Sequence, residues 1–157
     1  MTHLLLTVGR PKADYLAQGL ADYAGRLKAQ GGCELAAVRP AKAGGGRSPA
    51  LLMQEEGQRL LARLGPRDVV WALEVGGRAW SSEQWAQRLG QSRDSGARRL
   101  VLVVGGAEGL DPAVLERAQA RVSLGPITLP HELAALVAME QLYRAHAILA
   151  GSPYHRG

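Results

Sequence analysis

The sequence predicts an α/β protein built on a mainly parallel sheet. Three observations carry that class. Short apolar, β-branched runs alternate with helical patterns along the whole chain, as repeated strand–helix–strand units require. The helix starts are marked by capping side chains placed directly before a proline or an acidic first turn. The most apolar run, Leu100–Val104, passes straight into paired glycines, as a buried strand does when it ends in a tight turn.

Taken in order, strands are expected at His3–Val8, Glu34–Val38, Val69–Glu74 and Arg99–Val104. Helices are expected at about Ala13–Ala29, Pro49–Leu64, Ser82–Arg93 and Pro112–Gln119, which makes four strand–helix repeats. Ser48-Pro49 and Asp111-Pro112 each put a capping oxygen ahead of a proline whose fixed φ suits the first helical position, and Ser81 or Ser82 does the same ahead of Glu83. A last helix, Glu132–Ala150, is apolar nearly all round through Leu133, Leu136, Val137, Met139, Leu142, Tyr143, Ile148 and Leu149, so most of its faces should be buried. Glu140 and Arg144 interrupt it. They stand four apart with the acid first, the favourable order for a pair on one face, and on a buried helix such a pair is expected to organise a site or a subunit contact.

At 157 residues, with 46% hydrophobic and 21% charged side chains, the chain suits a single domain over 1–157 with its own core. No apolar run approaches the roughly 20 residues that cross a bilayer, so no membrane is expected and the location is expected to be cytoplasmic. The lone Cys33 has no disulfide partner and no metal-ligand spacing, which excludes zinc and redox chemistry, so no metal is expected. A net charge of +5 with sixteen Arg against three Lys favours a nucleic-acid partner. With no Phe, three Trp and four Tyr, an aromatic stacking platform is poorly supplied, so phosphate and pocket contacts should dominate.

Chemistry is expected in three places. Leu100–Val104 followed by Gly105-Gly106-Ala107-Glu108-Gly109-Leu110 puts glycine at the carboxyl end of a parallel strand, where main chain can approach a ligand without a Cβ in the way. The spacing is not Gly-x-Gly-x-x-Gly, so no dinucleotide fingerprint is present. The loop Ser123-Leu124-Gly125-Pro126-Ile127-Thr128-Leu129-Pro130-His131 is stiffened by prolines and loses little entropy on clamping an adenine edge with its amides and carbonyls. The end of the chain brings Tyr154, His155 and Arg156 together: a ring to stack, an imidazole to exchange a proton and a guanidinium to hold charge. That tail follows the last buried helix, so it is expected to serve function and add little to folding. His131, at a helix start, is expected to be a structural hydrogen-bonder. The segment Ala41-Lys42-Ala43-Gly44-Gly45-Gly46-Arg47 reads as a flexible basic loop without the Lys-Ser/Thr ending of a P-loop.

The glycine turn with its preceding Val103-Val104, the Ser123–His131 loop, the helical Glu140-Gln141-Leu142-Tyr143-Arg144-Ala145 and the closing Pro153-Tyr154-His155-Arg156 occur in this order over the full chain. Together they resemble the ribosomal RNA large subunit methyltransferase H family, in the SPOUT class. The resemblance implies a carboxyl-terminal trefoil knot, one of the rare exceptions to unknotted chains. It implies a homodimer that uses S-adenosyl-L-methionine to methylate N3 of a pseudouridine in 23S ribosomal RNA, on the assembled ribosome rather than on DNA. It assigns the cofactor to Leu73, Gly105, Gly106, Leu124, Gly125, Pro126, Ile127, Thr128, Leu129 and Pro130, and catalysis or RNA contact to Tyr154, His155 and Arg156. Within that reading His155 is the candidate base for the imide proton, Tyr154 stacks on the base and Arg156 favours its anionic form. Two places depart from the family pattern. Gly125-Pro126 replace the usual Ser and its neighbour, and Ala134-Ala135 stand where an Arg often follows His131, a role open to Arg144. The alternatives are a ribosome-associated RNA-binding protein without catalysis, and a methyltransferase of the same class acting on transfer RNA.

Overall fold

The computed structural model describes residues 1–156, and for His155 and Arg156 the main chain only. The order is β1 (Thr2–Val8), α1 (Asp14–Arg26), β2 (Cys33–Val38), α2 (Pro49–Leu61), β3 (Asp68–Ala79), α3 (Ser82–Asp94), β4 (Arg99–Val104), α4 (Pro112–Arg117), β5 (Ala120–Ser123) and α5 (His131–Leu149). Short 3₁₀ turns follow α1, at Leu27–Gln30, and α5, at Pro153–Arg156. The five strands form one sheet in the order β2-β1-β4-β3-β5, with every pairing parallel.

Strand register explains the two cores. Leu5 pairs with Leu35 on one side and Leu102 on the other, and Leu6 with Ala36 and Val103. Because successive side chains leave a strand on opposite faces, Leu5, Trp71, Leu100, Leu102 and Val104 face α1, α3 and α5, where they meet Leu20, Trp85, Leu89, Met139 and Leu142. Leu4, Leu6, Val70, Val101 and Val103 face α2 and α4, where they meet Leu60 and Val114. Both faces of the sheet are therefore covered, which is why β1 and β4 are apolar without alternation. Trp71, Trp80 and Trp85 pack edge-to-face, with ring centroids 5.1 to 5.6 Å apart, and fix α3 on the sheet.

The helix starts behave as read. Ser48 accepts from the Leu51 amide, Asp111 from Ala113, and Ser81 forms a reciprocal capping box with Gln84. Two strand readings change. β3 continues to Ala79 instead of ending at Glu74, with a register break between Leu73 and Arg78 that lets Glu74–Gly77 bow out of the ladder. β5 is an additional strand. It has four residues, pairs with β3 alone and buries only Val122 and Ser123, so it lacks the apolar run that marks the others.

Inside the first core His3 and His146 touch. His3 Nδ1 lies 2.9 Å from the Gly32 carbonyl oxygen and so carries the proton. His146 Nε2, 3.1 Å from His3 Nε2, donates to it. Burial lowers the pKa of both imidazoles, and His146, also facing His3, is brought down to about 4. Among the described residues no helix is long and apolar enough to cross a membrane.

Candidate functional site

Leu73 of β3, Val104 at the end of β4 and Val122 of β5 lie side by side, and the first turn of α5 closes over them with His131 and Ala134. Between them lies a cleft of about 590 Å³ at the carboxyl edge of the sheet, within the size range of small-molecule sites. Leu73, Gly105 and Gly106 line it, as do Leu124, Gly125, Ile127, Thr128, Leu129 and Pro130, so the residues assigned from sequence to one ligand converge on one cavity. Pro126 stays off the lining. His131, Glu74, Val75 and Glu108 line it as well and went unassigned from sequence. Glu74 and Val75 are on the bulge that breaks the β3 register, a feature of strand pairing with no local sequence signal.

The glycine turn explains its own composition. A Cβ on Gly105 would lie 2.6 Å from the carbonyl oxygen of Gly109 and 2.7 Å from its carbon, because the chain doubles back there. Gly106 and Gly109 form an isolated bridge, the Gly109 amide donates to the Gly106 carbonyl at 3.1 Å, and Leu110 plugs the return into the second core. The wall that Gly105 and Gly106 give the cleft is thus bare main chain. A Cβ at Gly106 would point into the protein, 3.1 Å from Glu56 Oε2 and 3.3 Å from a Val8 methyl, rather than into the cleft.

On the far side the loop after β5 is held from within. The Ser123 hydroxyl donates to the Gly125 carbonyl at 3.0 Å and accepts from the Gly125 amide at 3.2 Å, with Gly125 at φ +112°. Ile127 on this loop is 63% exposed and Val75 on the opposite rim 70% exposed, so two apolar side chains stand in water at the mouth, an arrangement that favours an occupant covering them. The cleft therefore offers apolar walls, main-chain polar groups and two carboxylates, Glu74 and Glu108, which suits a ligand with a flat apolar part and positive charge.

Glu140, Arg144 and Tyr154 meet elsewhere. Arg144 donates to Glu140 Oε1 through Nε at 2.9 Å and Nη2 at 2.6 Å, and its guanidinium lies 5.0 Å from the centre of the Tyr154 ring. That ring packs edge-on against Tyr143 at 4.7 Å, and its hydroxyl sits 3.3 Å from Glu140 Oε1 and 3.4 Å from the Tyr23 hydroxyl. Burial, the Tyr23 hydroxyl and the Glu140 charge raise the phenol's pKa, so it stays protonated. Tyr154 is therefore half-buried in a cluster with α1 and α5, contrary to a tail that adds little to folding. From His131 to Glu140 is nine residues, about 13 Å along α5, so this cluster stands apart from the cleft. The side chains of His155 and Arg156 lie outside the described residues.

Fold and cleft define a parallel α/β protein with a small-molecule-sized cleft, walled partly by main chain, at the carboxyl edge of its sheet. Known proteins narrow this. The family model described as "Predicted SPOUT methyltransferase" matches residues 1–155. The chain is 45% identical over 152 residues to ribosomal RNA large subunit methyltransferase H of Stenotrophomonas maltophilia (strain R551-3), covering 97% of each chain. It is 41% identical over 157 residues to the protein of the same name from Xylella fastidiosa (strain M23), covering 100% of this chain and 99% of the relative. With that of Limosilactobacillus fermentum it shares 40% identity over 155 residues, covering 97% and 98%. The chain belongs to the SPOUT methyltransferase family and, within it, to the ribosomal RNA large subunit methyltransferase H family.

Proposed function

We propose that this protein methylates large-subunit ribosomal RNA, at N3 of a pseudouridine in 23S RNA of the assembled ribosome, with S-adenosyl-L-methionine as donor. It works as a cytoplasmic homodimer with a knotted carboxyl-terminal region. The observation that carries the reading is the convergence of Leu73, Gly105, Gly106 and the 124–130 loop on one cleft in a chain whose relatives bear that enzyme's name.

The residues present fit such a donor. The bare main chain of Gly105 and Gly106 admits close approach, Leu73, Leu124, Ile127 and Leu129 supply apolar surface for an adenine ring, and Glu74 and Glu108 complement positive charge. When bound, S-adenosylmethionine supplies a methyl group on a positively charged sulfur. The chain aligns the two reactants and keeps water out, the Ser123–Gly125 bonds holding the wall in place beforehand. The acceptor N–H must lose a proton, and His155 is the residue of the tail suited to take it. Tyr154, kept protonated, is left to stack or donate.

The same geometry supports the homodimer. Since the tail cluster lies about 13 Å along α5 from its own cleft, the tail serves catalysis by reaching the cleft of the second subunit. Leu133 and Val137, half-buried on α5, supply apolar surface for the partner.

The experiment is to incubate ribosomes lacking the modification with protein and methyl-labelled S-adenosylmethionine, then digest the RNA for mass spectrometry. One labelled methyl on a pseudouridine of 23S RNA is expected. Label in transfer RNA, or no label despite ribosome binding, refutes the reading, and calorimetry with the cofactor alone separates a catalyst from a binding protein. Light scattering that gives a monomer mass for fully active protein refutes the dimer.

A further inference from the structure

The sheet order places the loop after β1 and the loop after β2 next to the cleft, on the side of β4 away from β3. These loops carry Arg10, Lys12, Arg39 and Lys42, all exposed. Among the described residues none of the four side chains has a carboxylate partner. Tyr15 follows Lys12 and, at 69% exposed, is the most exposed of the large hydrophobic side chains after Val75. One acid, Asp14, shares the segment.

Four contacts make a single platform of the two loops and fasten it to the cleft. The Gly9 amide donates to the Val38 carbonyl at 2.9 Å, and Gly9 sits so close to Pro40 that a Cβ there would lie 3.2 Å from the proline ring. The Lys12 amide donates to Glu132 Oε2 at 3.2 Å, in the first turn of α5, beside His131 and Ala134 of the cleft wall. The Ala41 amide donates to Glu56 Oε1 at 3.0 Å, while the other oxygen of that 9% exposed carboxylate lies against Gly106. Arg47, by contrast, is used inside its loop, donating to the Lys42 carbonyl at 2.9 Å and pairing with Glu55.

We propose that Arg10, Lys12, Arg39 and Lys42, with Tyr15, form a ledge that grips the sugar–phosphate backbone of the substrate RNA and presents the target base to the neighbouring cleft. This rests on the reading of the substrate as ribosomal RNA. Phosphate contacts set register and orientation without reading sequence, and unpaired cations on anchored loops meet that need. The opposite, amino edge of the sheet is a control: Arg63, Arg99 and Arg117 there pair with Glu34, Asp68 and main-chain carbonyls. Arg67 and Arg98 are exposed at that edge, but the six residues of β4 hold it about 20 Å from the cleft.

The test compares wild type, Arg10→Ala/Lys12→Ala, Arg39→Ala/Lys42→Ala, the quadruple variant and Arg67→Ala/Arg98→Ala, with ribosomes and with deproteinised 23S RNA, across a salt series. In the counterion-release picture one phosphate contact contributes roughly eightfold in affinity at 0.1 M salt. Each ledge pair should weaken binding at least about tenfold and the quadruple variant about 100-fold or more, lowering the log–log salt slope by about three to four. The ledge variants should raise KM for ribosomes while affinity for S-adenosylmethionine and thermal midpoint stay at wild-type values, and Arg67→Ala/Arg98→Ala should bind like wild type. A quadruple variant within threefold of wild type at an unchanged slope overturns the ledge, as does an equal loss in the amino-edge control. A loss on ribosomes with none on deproteinised RNA also overturns it, assigning the ledge to a ribosomal protein. Wild type that neither binds nor methylates ribosomal RNA overturns the functional reading and the ledge with it.

Discussion

Gly105→Ala is the sharpest probe of the cleft, because its added methyl meets main chain rather than a movable side chain. The Cβ would sit 2.6 Å from the Gly109 oxygen, 2.7 Å from its carbon and 3.1 Å from Leu110 Cγ. Relief requires the turn to open, which strains the 3.1 Å bond from the Gly109 amide to Gly106 and drags on Leu110, 8% exposed in the second core. Overpacking of this kind costs about 1–3 kcal/mol. In a chain of this length each kcal/mol moves the midpoint by about 2–4 °C, so a fall of roughly 2–12 °C is expected by scanning calorimetry. Gly106→Ala is milder. Its Cβ meets Glu56 Oε2 at 3.1 Å and a Val8 methyl at 3.3 Å, neighbours that give by a few tenths of an ångström, for about 1 kcal/mol or less. Titration calorimetry should show S-adenosylmethionine affinity down at least about tenfold for Gly105→Ala and within about threefold for Gly106→Ala, since only the first deforms the main chain on the cleft wall. Wild-type affinity and midpoint in Gly105→Ala, or a larger loss in Gly106→Ala, would refute this reasoning.

The His3–His146 contact predicts loss of stability in mild acid. Burial lowers both folded pKa values, His146 to about 4 from 6.5, so the unfolded chain binds protons first. Stability is complete above about pH 7 and declines as pH falls from 6.5 towards 4, by about 2–3 kcal/mol for the partly exposed His146 ring. Denaturant melts of His146→Gln should show a shallower decline than wild type, and parallel curves would refute the assignment. At the tail, Tyr154→Phe removes the hydroxyl from Glu140 and Tyr23 and should cost about 1 kcal/mol. Tyr154→Ala also loses the packing on Tyr143 and should cost about 2–3 kcal/mol. Equal midpoints for wild type and Tyr154→Ala would show that the cluster does not hold.

The α/β class, four of the five strands and the helix starts were legible in the sequence because these are local: apolar runs, capping oxygens and prolines act within a few residues. The sequence also pointed to the segments that line the cleft, since glycines after Val104 and prolines around Ile127 constrain the main chain wherever the segment is placed. The rest depends on long-range packing. β5 exists because β3 is there to pair with it, and Glu74 and Val75 reach the cleft because that pairing slips between Leu73 and Arg78. Gly106 is small on account of Glu56 and Val8, fifty and ninety-eight residues away in the chain. Tyr154 is a packed residue rather than a loose end because Tyr23, Glu140 and Tyr143 wait for it on two helices. Sheet order also separates Arg63, Arg99 and Arg117, paired at the amino edge, from Arg10 and Arg39, which sit beside the cleft without a carboxylate partner among the described residues. In each case the deciding neighbour is remote in sequence, and its position depends on how the strands are ordered and where the helices pack, which no local pattern encodes.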